Sequence, residues 1–477
     1  MKKQLSGYVE TAKTVVMILL FACVLCLLAV YIALLSNTWS PESAYGDAVD
    51  EIRLLASGGD TSDYPSGTYL MPSSVLLRTE ETSRILLQNG EGVMEDCYVR
   101  LAPLITAAAS DTSCLRPLYG REAAETWQQV SRLPSCIYVS YHLDLPLQIV
   151  GYFSAALTEQ AMRVTSATPV LVKEMVFYED ETGDCRVLIR SSAGTVYLSE
   201  ARSDASAFSD LYAYSVYELE KEAKANASYS DAAFAGAYFA EEDPFASPVT
   251  PVLLSGLRAA KYRFTTPDLT VLLSDQKDAN NFLRLFSYNP NKINRHEEAN
   301  GTTVYVEEHG VLKISSTALS YTAAQGGGVS AAEALEADAS GVDLYDAVLY
   351  STRILDGLRA IRPGYFGGDC QLLLASVSGE RGTLELRYRY YADNLPLRGP
   401  APEILFTFTS DTMTSVVIEG LTGYNVADPD HLYSGAWVAE RFRASFGTLE
   451  SLAVVYDYQT GKSVSAQWIA IAEEADR

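Results

Sequence analysis

Thr303-Val-Tyr-Val-Glu-Glu-His-Gly-Val-Leu-Lys-Ile-Ser-Ser-Thr-Ala-Leu-Ser-Tyr321 is the stretch whose reading decides the fold class. A β-branched and aromatic run fills 303–306, a turn falls at His309-Gly310, a second apolar-rich run follows over 311–314, and a third short run closes on Tyr321. Short runs of this kind separated by a glycine turn mark antiparallel strands. The same signature recurs outward in both directions. Strands are expected at 136–141, at 174–178 and 186–189 around the turn Asp180-Glu-Thr-Gly-Asp184, and at 371–377, 384–391, 404–409, 454–458 and 463–471.

Helical spacing is rarer. Ala123, Trp127 and Val130 share one face of 122–130, which Pro134 stops, and Leu344, Val348, Leu355 and Leu358 share a face further on. Further helices are expected at 208–224, 275–286 and 432–446. Strands joined by short turns outnumber any strand–helix–strand pattern, so the expected fold class is α+β with antiparallel sheets and packed helices.

A chain of 477 residues is too long for one ordinary core, and with 48% apolar and 20% charged residues it has the composition of a folded protein. Three prolines within Glu241-Glu-Asp-Pro-Phe-Ala-Ser-Pro-Val-Thr-Pro251 suit a domain boundary, and the Ala, Gly and Ser-rich stretch 323–343 reads as a linker or loop. The expected organisation is a head at 1–13, a transmembrane helix at 14–36, a stalk at 37–66 and α+β domains at 67–247, 248–331 and 332–477.

The transmembrane expectation rests on 15–35, a run without charge. At about 1.5 Å per residue it matches a bilayer core of roughly 30 Å. It is longer than the apolar centre of a secretory signal and lacks a small-x-small cleavage site at its end, so it reads as an uncleaved anchor. Lys2, Lys3 and Lys13 precede it while Glu42, Asp47, Asp50 and Glu51 follow, which predicts a single-pass protein of the cell membrane with a cytoplasmic N-terminus and its bulk extracytoplasmic. The three lysines against Glu10 give the head +2, leaving −26 of the total −24 on the rest, a surface that repels nucleic acid and anionic lipid headgroups. Ala22, Cys26, Ala29 and Ala33 lie on one face of the expected span; small side chains let helix backbones approach inside lipid, so this face is the candidate docking stripe for a partner span.

Nothing in the sequence points to a reaction. His142, His296, His309 and His431 are scattered without metal-ligand spacing, and the serine-hydrolase elbow, the dinucleotide fingerprint and the phosphate loop are absent, including after Gly326-Gly-Gly328. No catalytic residue, metal or cofactor is expected, and Glu307-Glu308 and Glu241-Glu-Asp243 read as solvated charge. Cys97, Cys114, Cys136, Cys185 and Cys370 follow no repeated spacing, so they read as isolated buried thiols, with one bridge among the first three left open.

Taken in order, Ile137-Tyr-Val-Ser-Tyr-His-Leu-Asp-Leu-Pro146, Leu285-Phe-Ser-Tyr-Asn-Pro290, Asn300-Gly-Thr-Thr-Val-Tyr305, His309-Gly-Val-Leu-Lys-Ile314, Leu319-Ser-Tyr321, Arg387-Tyr-Arg-Tyr-Tyr-Ala-Asp-Asn-Leu-Pro396 and the closing 456–469 resemble the YycH family. These are the extracytoplasmic regulatory proteins that accompany the WalK (YycG) sensor histidine kinase of the WalK/WalR (YycG/YycF) two-component system in low-GC Gram-positive bacteria. The resemblance covers nearly the whole chain and departs from the family at the 323–343 insert and the long acidic stalk. It implies a non-enzymatic regulator that works with a YycI-like companion to modulate a kinase controlling cell-wall metabolism. The competing readings are a cell-envelope scaffold or chaperone and a wall-facing hydrolase.

Overall fold

Alternation becomes sheet wherever one face can be buried. A computed structural model describes residues 69–78, 83–86, 93–110, 114–131, 133, 135–153, 170–199, 208, 212–213, 258–331, 344–380, 382–410, 412–433, 435–446 and 449–472. All belong to a unit that begins at Pro65.

The first half contains β1 (Ser74–Arg78), β2 (Ser83–Leu86), α1 (Val93–Ser110), β3 (Leu115–Leu118), α2 (Gly120–Ser131), β4 (Cys136–Pro146), α3 (Leu147–Phe153), β5 (Leu171–Glu179), β6 (Cys185–Arg190) and β7 (Val196–Ser199). Its strands form one antiparallel sheet in the order β2-β1-β4-β5-β6-β7-β3. Both faces are covered. Odd-numbered β4 residues such as Ile137 and Val139 join the main core with Leu101, Ile105 and Ile149 of α1 and α3, while Cys136 and Tyr138 face the other way, toward Ala123, Trp127 and Val130 of α2. The helix expected at 122–130 is therefore present, and its apolar stripe closes a small core of its own.

The second half contains β8 (Arg258–Thr265), a 3-10 turn at Leu269–Leu273, α4 (Gln276–Leu285), β9 (Asn294–Glu297), β10 (Thr303–Glu307), β11 (Gly310–Ile314), β12 (Ala318–Ala323), β13 (Val329–Ser330), α5 (Leu344–Ile361), β14 (Phe366–Gly368), β15 (Gln371–Glu380), β16 (Thr383–Ala392), β17 (Leu395–Arg398), β18 (Glu403–Thr409), β19 (Thr412–Glu419), β20 (Leu421–His431), α6 (Gly435–Phe446), β21 (Leu449–Asp457) and β22 (Ser463–Ala472). They build one sheet, ordered β14-β20-β8-β22-β21-β17-β16-β18-β19-β12-β11-β10-β9, with β13 beside β19 and β15 beside β16. This sheet crosses 331/332, where a boundary between a central and a C-terminal domain was expected: β12 pairs with β19, Leu319 opposite Ile418.

Local chemistry starts and stops the helices. Asp275 caps α4 by accepting from the Lys277 and Asp278 backbone N–H groups, and Asp278 pairs with Arg362 at 2.6 Å beyond the end of α5. At Gly357 of α5 a Cβ would stand 2.4 Å from Leu285 Cδ2, so the two helices pack at a distance only glycine allows without displacement. α5 is buried nearly all round, and Ser351 Oγ meets Tyr388 Oη of the sheet at 2.6 Å.

The expected fold class needs correction on two points. Among the described residues no helix is long and apolar enough to cross a membrane: the two of 18 residues, α1 and α5, carry Glu95, Asp96 and Arg100, and Asp346, Arg353, Asp356 and Arg359. The stretch 14–36, with its head and stalk, lies outside the described residues. The second sheet is also mixed rather than antiparallel, since β14 runs parallel to β20 and β17 parallel to β21. The physical reason is topological: β21 returns after α6 to lie between its hairpin partner β22 and β17, and alternation along a strand carries no information about the direction of its neighbour.

Candidate functional site

The expected partner face Ala22, Cys26, Ala29 and Ala33 lies outside the described residues. The segments that carry the family resemblance are described, and two of their clusters have built polar geometry.

The first forms where α4 ends. Ser287 takes φ +61°, which turns the chain so that the Tyr288 N–H reaches back to Leu283 O at 3.0 Å. Tyr288 then lies against His309, with ring centroids 4.4 Å apart, and Tyr321 of β12 lies 6.1 Å from the same imidazole. His309 Nε2 is 3.2 Å from Phe286 O, so this nitrogen carries the hydrogen, and Nδ1 stands 3.4 Å from Glu307 Oε2. The other Glu307 oxygen accepts from the Asn289 N–H at 2.9 Å, so this carboxylate, read as solvated charge from the sequence, ties a loop. Tyr321 Oη donates to His309 O at 3.1 Å, and a Cβ on Gly310 would sit 2.6 Å from the Tyr321 ring. Tyr288 Oη is buried without a hydrogen-bond partner, and burial raises the pKa of both phenols.

The second cluster is the two-residue turn between β16 and β17. Asp393 and Asn394 both have positive φ, +48° and +59°, the conformation of a tight hairpin turn that Asp and Asn tolerate best after glycine. Asp393 accepts from the Ala260 N–H at 2.8 Å, from Tyr262 Oη at 2.9 Å and from Tyr456 Oη at 2.7 Å. Tyr456 Oη also stands 2.8 Å from Ala260 O, so its single hydrogen is shared between two acceptors. One carboxylate thus fastens β8 and β21 to the turn. Burial first, then the Asp393 charge, holds the Tyr262 and Tyr456 phenols far above their ordinary range.

Asn394 faces the first sheet. Its Nδ2 donates to Pro72 O at 2.8 Å and to Ser73 O at 3.3 Å, which turns Oδ1 toward His142 Nε2 at 3.4 Å. The amide is 3% exposed, and the His142 ring lies 4.6 Å from Tyr391. Burial lowers the pKa of His142 to about 4. Nearby, Tyr69 Oη donates to Asp356 Oδ1 at 2.5 Å beneath the Arg359 guanidinium, and burial raises the Asp356 carboxyl. Sequence reasoning quoted 387–396 without assigning the turn a role; Asp-Asn between two alternating runs was the available signal.

His296 is exposed on β9 and His431 belongs to β20, so the four histidines share no site, and among the described residues no group of His, Cys, Asp or Glu could hold a metal ion. Cys185 and Cys370 are buried free thiols, and burial pushes Cys185 up to about 12. On the surface, Tyr433 and Trp437 stack at 4.9 Å while remaining 71% and 50% exposed, and Trp468 Nε1 donates to Tyr433 O. No family model matches this chain, and no curated protein or solved structure does.

Proposed function

We propose that this chain is an extracytoplasmic regulator of a WalK-like sensor histidine kinase, acting at the outer face of the cell membrane through protein–protein contacts with the kinase and a YycI-like companion. The reading rests on the YycH resemblance, and one observation supports it: segments far apart in sequence that carry the resemblance meet in joints of the fold. Residues 285–290, 309–314 and 319–321 meet around His309, and 137–146 meets 387–396 at the Asn394 turn. Regulation then needs only a difference of a few kcal/mol in affinity for two kinase states.

The test is a crosslinked pull-down of the full chain from native membranes. Recovery of one kinase with one companion is the expected result, and the exposed Tyr433–Trp437 pair is the first surface to mutate, because Tyr and Trp dominate protein contacts. Recovery of many unrelated clients would instead mark an envelope scaffold, and recovery of neither kinase nor companion overturns the reading.

A further inference from the structure

The chain reaches the first sheet through a short strap, Tyr69-Leu70-Met71-Pro72-Ser73, and α5 and the β16–β17 turn hold that strap down. Tyr69 is fastened to Asp356, Pro72 and Ser73 to the Asn394 amide, and Ser73 also meets Ser140 of β4 through its N–H and its hydroxyl, both at 2.7 Å. Two residues beyond Ser140, His142 sets the Asn394 amide from the other side. Because Asn394 must turn its nitrogen to the two carbonyls, only its oxygen faces the imidazole, and the neutral ring meets that oxygen with Nε2–H.

We propose that His142 makes this strap an acid-sensitive fastening: protonation of its ring releases the Asn394 turn from residues 69–73 and loosens the joint between the two sheets. The surroundings offer the imidazolium no counter-charge. The charged group set against it is Lys173 of β5, a cation. Asp144 on the same strand has its carboxylate engaged by the Ser192 N–H and hydroxyl, and Glu174 is held by Arg190 and Tyr138. From β16 and its turn the ring meets Tyr391 and Asn394, both neutral, and Gln371, opposite Tyr391 on β15, is neutral too. A second positive charge in this half-buried place, next to the first, has one amide oxygen to receive it, which is far less than water provides.

The sign follows from linkage. A base whose pKa is lowered in the closed state contributes stability that is complete above its ordinary 6.5 and is lost as pH falls toward about 4. Asp356 works in the opposite sense: its carboxyl is raised by burial, so acid favours the closed Tyr69 contact and cannot be the source of opening. The opening equilibrium should therefore rise about tenfold per pH unit between roughly 6 and 4, then level off.

Hydrogen exchange of the full chain, corrected for the intrinsic pH dependence of amide exchange, reads this directly. Backbone amides of Leu70, Met71 and Ser73 and of 391–395 should lose protection over that range, while those of β11 and β18 keep theirs. His142→Gln retains an N–H donor for Asn394 and cannot ionise, so its strap should stay protected at pH 4.5. Lys173→Met, which removes the facing cation, lets the closed state hold the imidazolium more easily, so it should lose less strap protection at pH 4.5 than the wild type and gives a second reading if the glutamine variant folds poorly. Unchanged strap protection from pH 7 to 4, or the same loss in His142→Gln as in the wild type, overturns the proposal.

Discussion

Two phenols in this protein are buried alike and differ in what their hydroxyls meet. Tyr456, fully buried, shares its hydrogen between Asp393 and Ala260 O, so Tyr456→Phe leaves two acceptors short of a donor inside the fold. The expected cost is about 1–3 kcal/mol. Tyr288 is buried with an unpartnered hydroxyl, and Tyr288→Phe should be neutral or slightly stabilising, because it removes a desolvated group and breaks no hydrogen bond. Urea titration of the two variants checks the contrast; equal losses would mean that Tyr288 Oη is satisfied in solution. Both residues stand in segments quoted for the resemblance, and nothing local distinguishes them. The partner of Tyr456 lies 63 residues away and that of Tyr262 lies 131 away, so the Asp393 cluster carries no signature within any window a sequence reading uses.

At the scale of elements, legibility followed the regularity of burial. β11 and β12 were readable because Leu312, Ile314, Leu319 and Tyr321 face the core while Lys313 and Thr322 face out. β20 was not, since it holds Gly423 and Pro429 and shifts register after Asn425 and again after Ala427, and each bulge turns the alternation over. α1 was hidden by Pro103 in its interior, and β14 by its length of three residues. The turn that begins β11 gives the prediction for this scale. Gly310 faces Tyr321 so closely that a methyl group would also lie 2.8 Å from Thr322 O, a backbone atom that cannot swing aside. Gly310→Ala should cost about 1–3 kcal/mol and disturb the His309 contacts. Melting curves give the cost, and the chemical shifts of the His309 ring report the disturbance; an unchanged ring would show that the hairpin yields elsewhere.

For the whole molecule, the decisive feature is that the main core does not stop between the sheets. One cluster of buried side chains runs from Tyr69 through Ile189 of the first sheet to Phe406 and Tyr456 of the second, while the smaller cluster around Trp127 belongs to the first sheet alone. An interface built as a continuation of the core couples the stability of its two sides, in contrast to the small polar contacts that let domains move independently. The two sheets should therefore unfold together. The slowest-exchanging amides of β6 and β18 should report the same opening free energy, since both are released only by global unfolding. Trp127→Ala is the discriminating change, because it empties a site in the smaller cluster, where Trp127 is 4% exposed and carries the Arg190 guanidinium 3.9 Å above its ring. The expected loss is about 3–5 kcal/mol. If the sheets are coupled, that loss appears equally at β6 and at β18, although β18 touches nothing near the mutation; if it appears at β6 alone, the first sheet unfolds by itself and the shared core does not bind the halves into one cooperative unit.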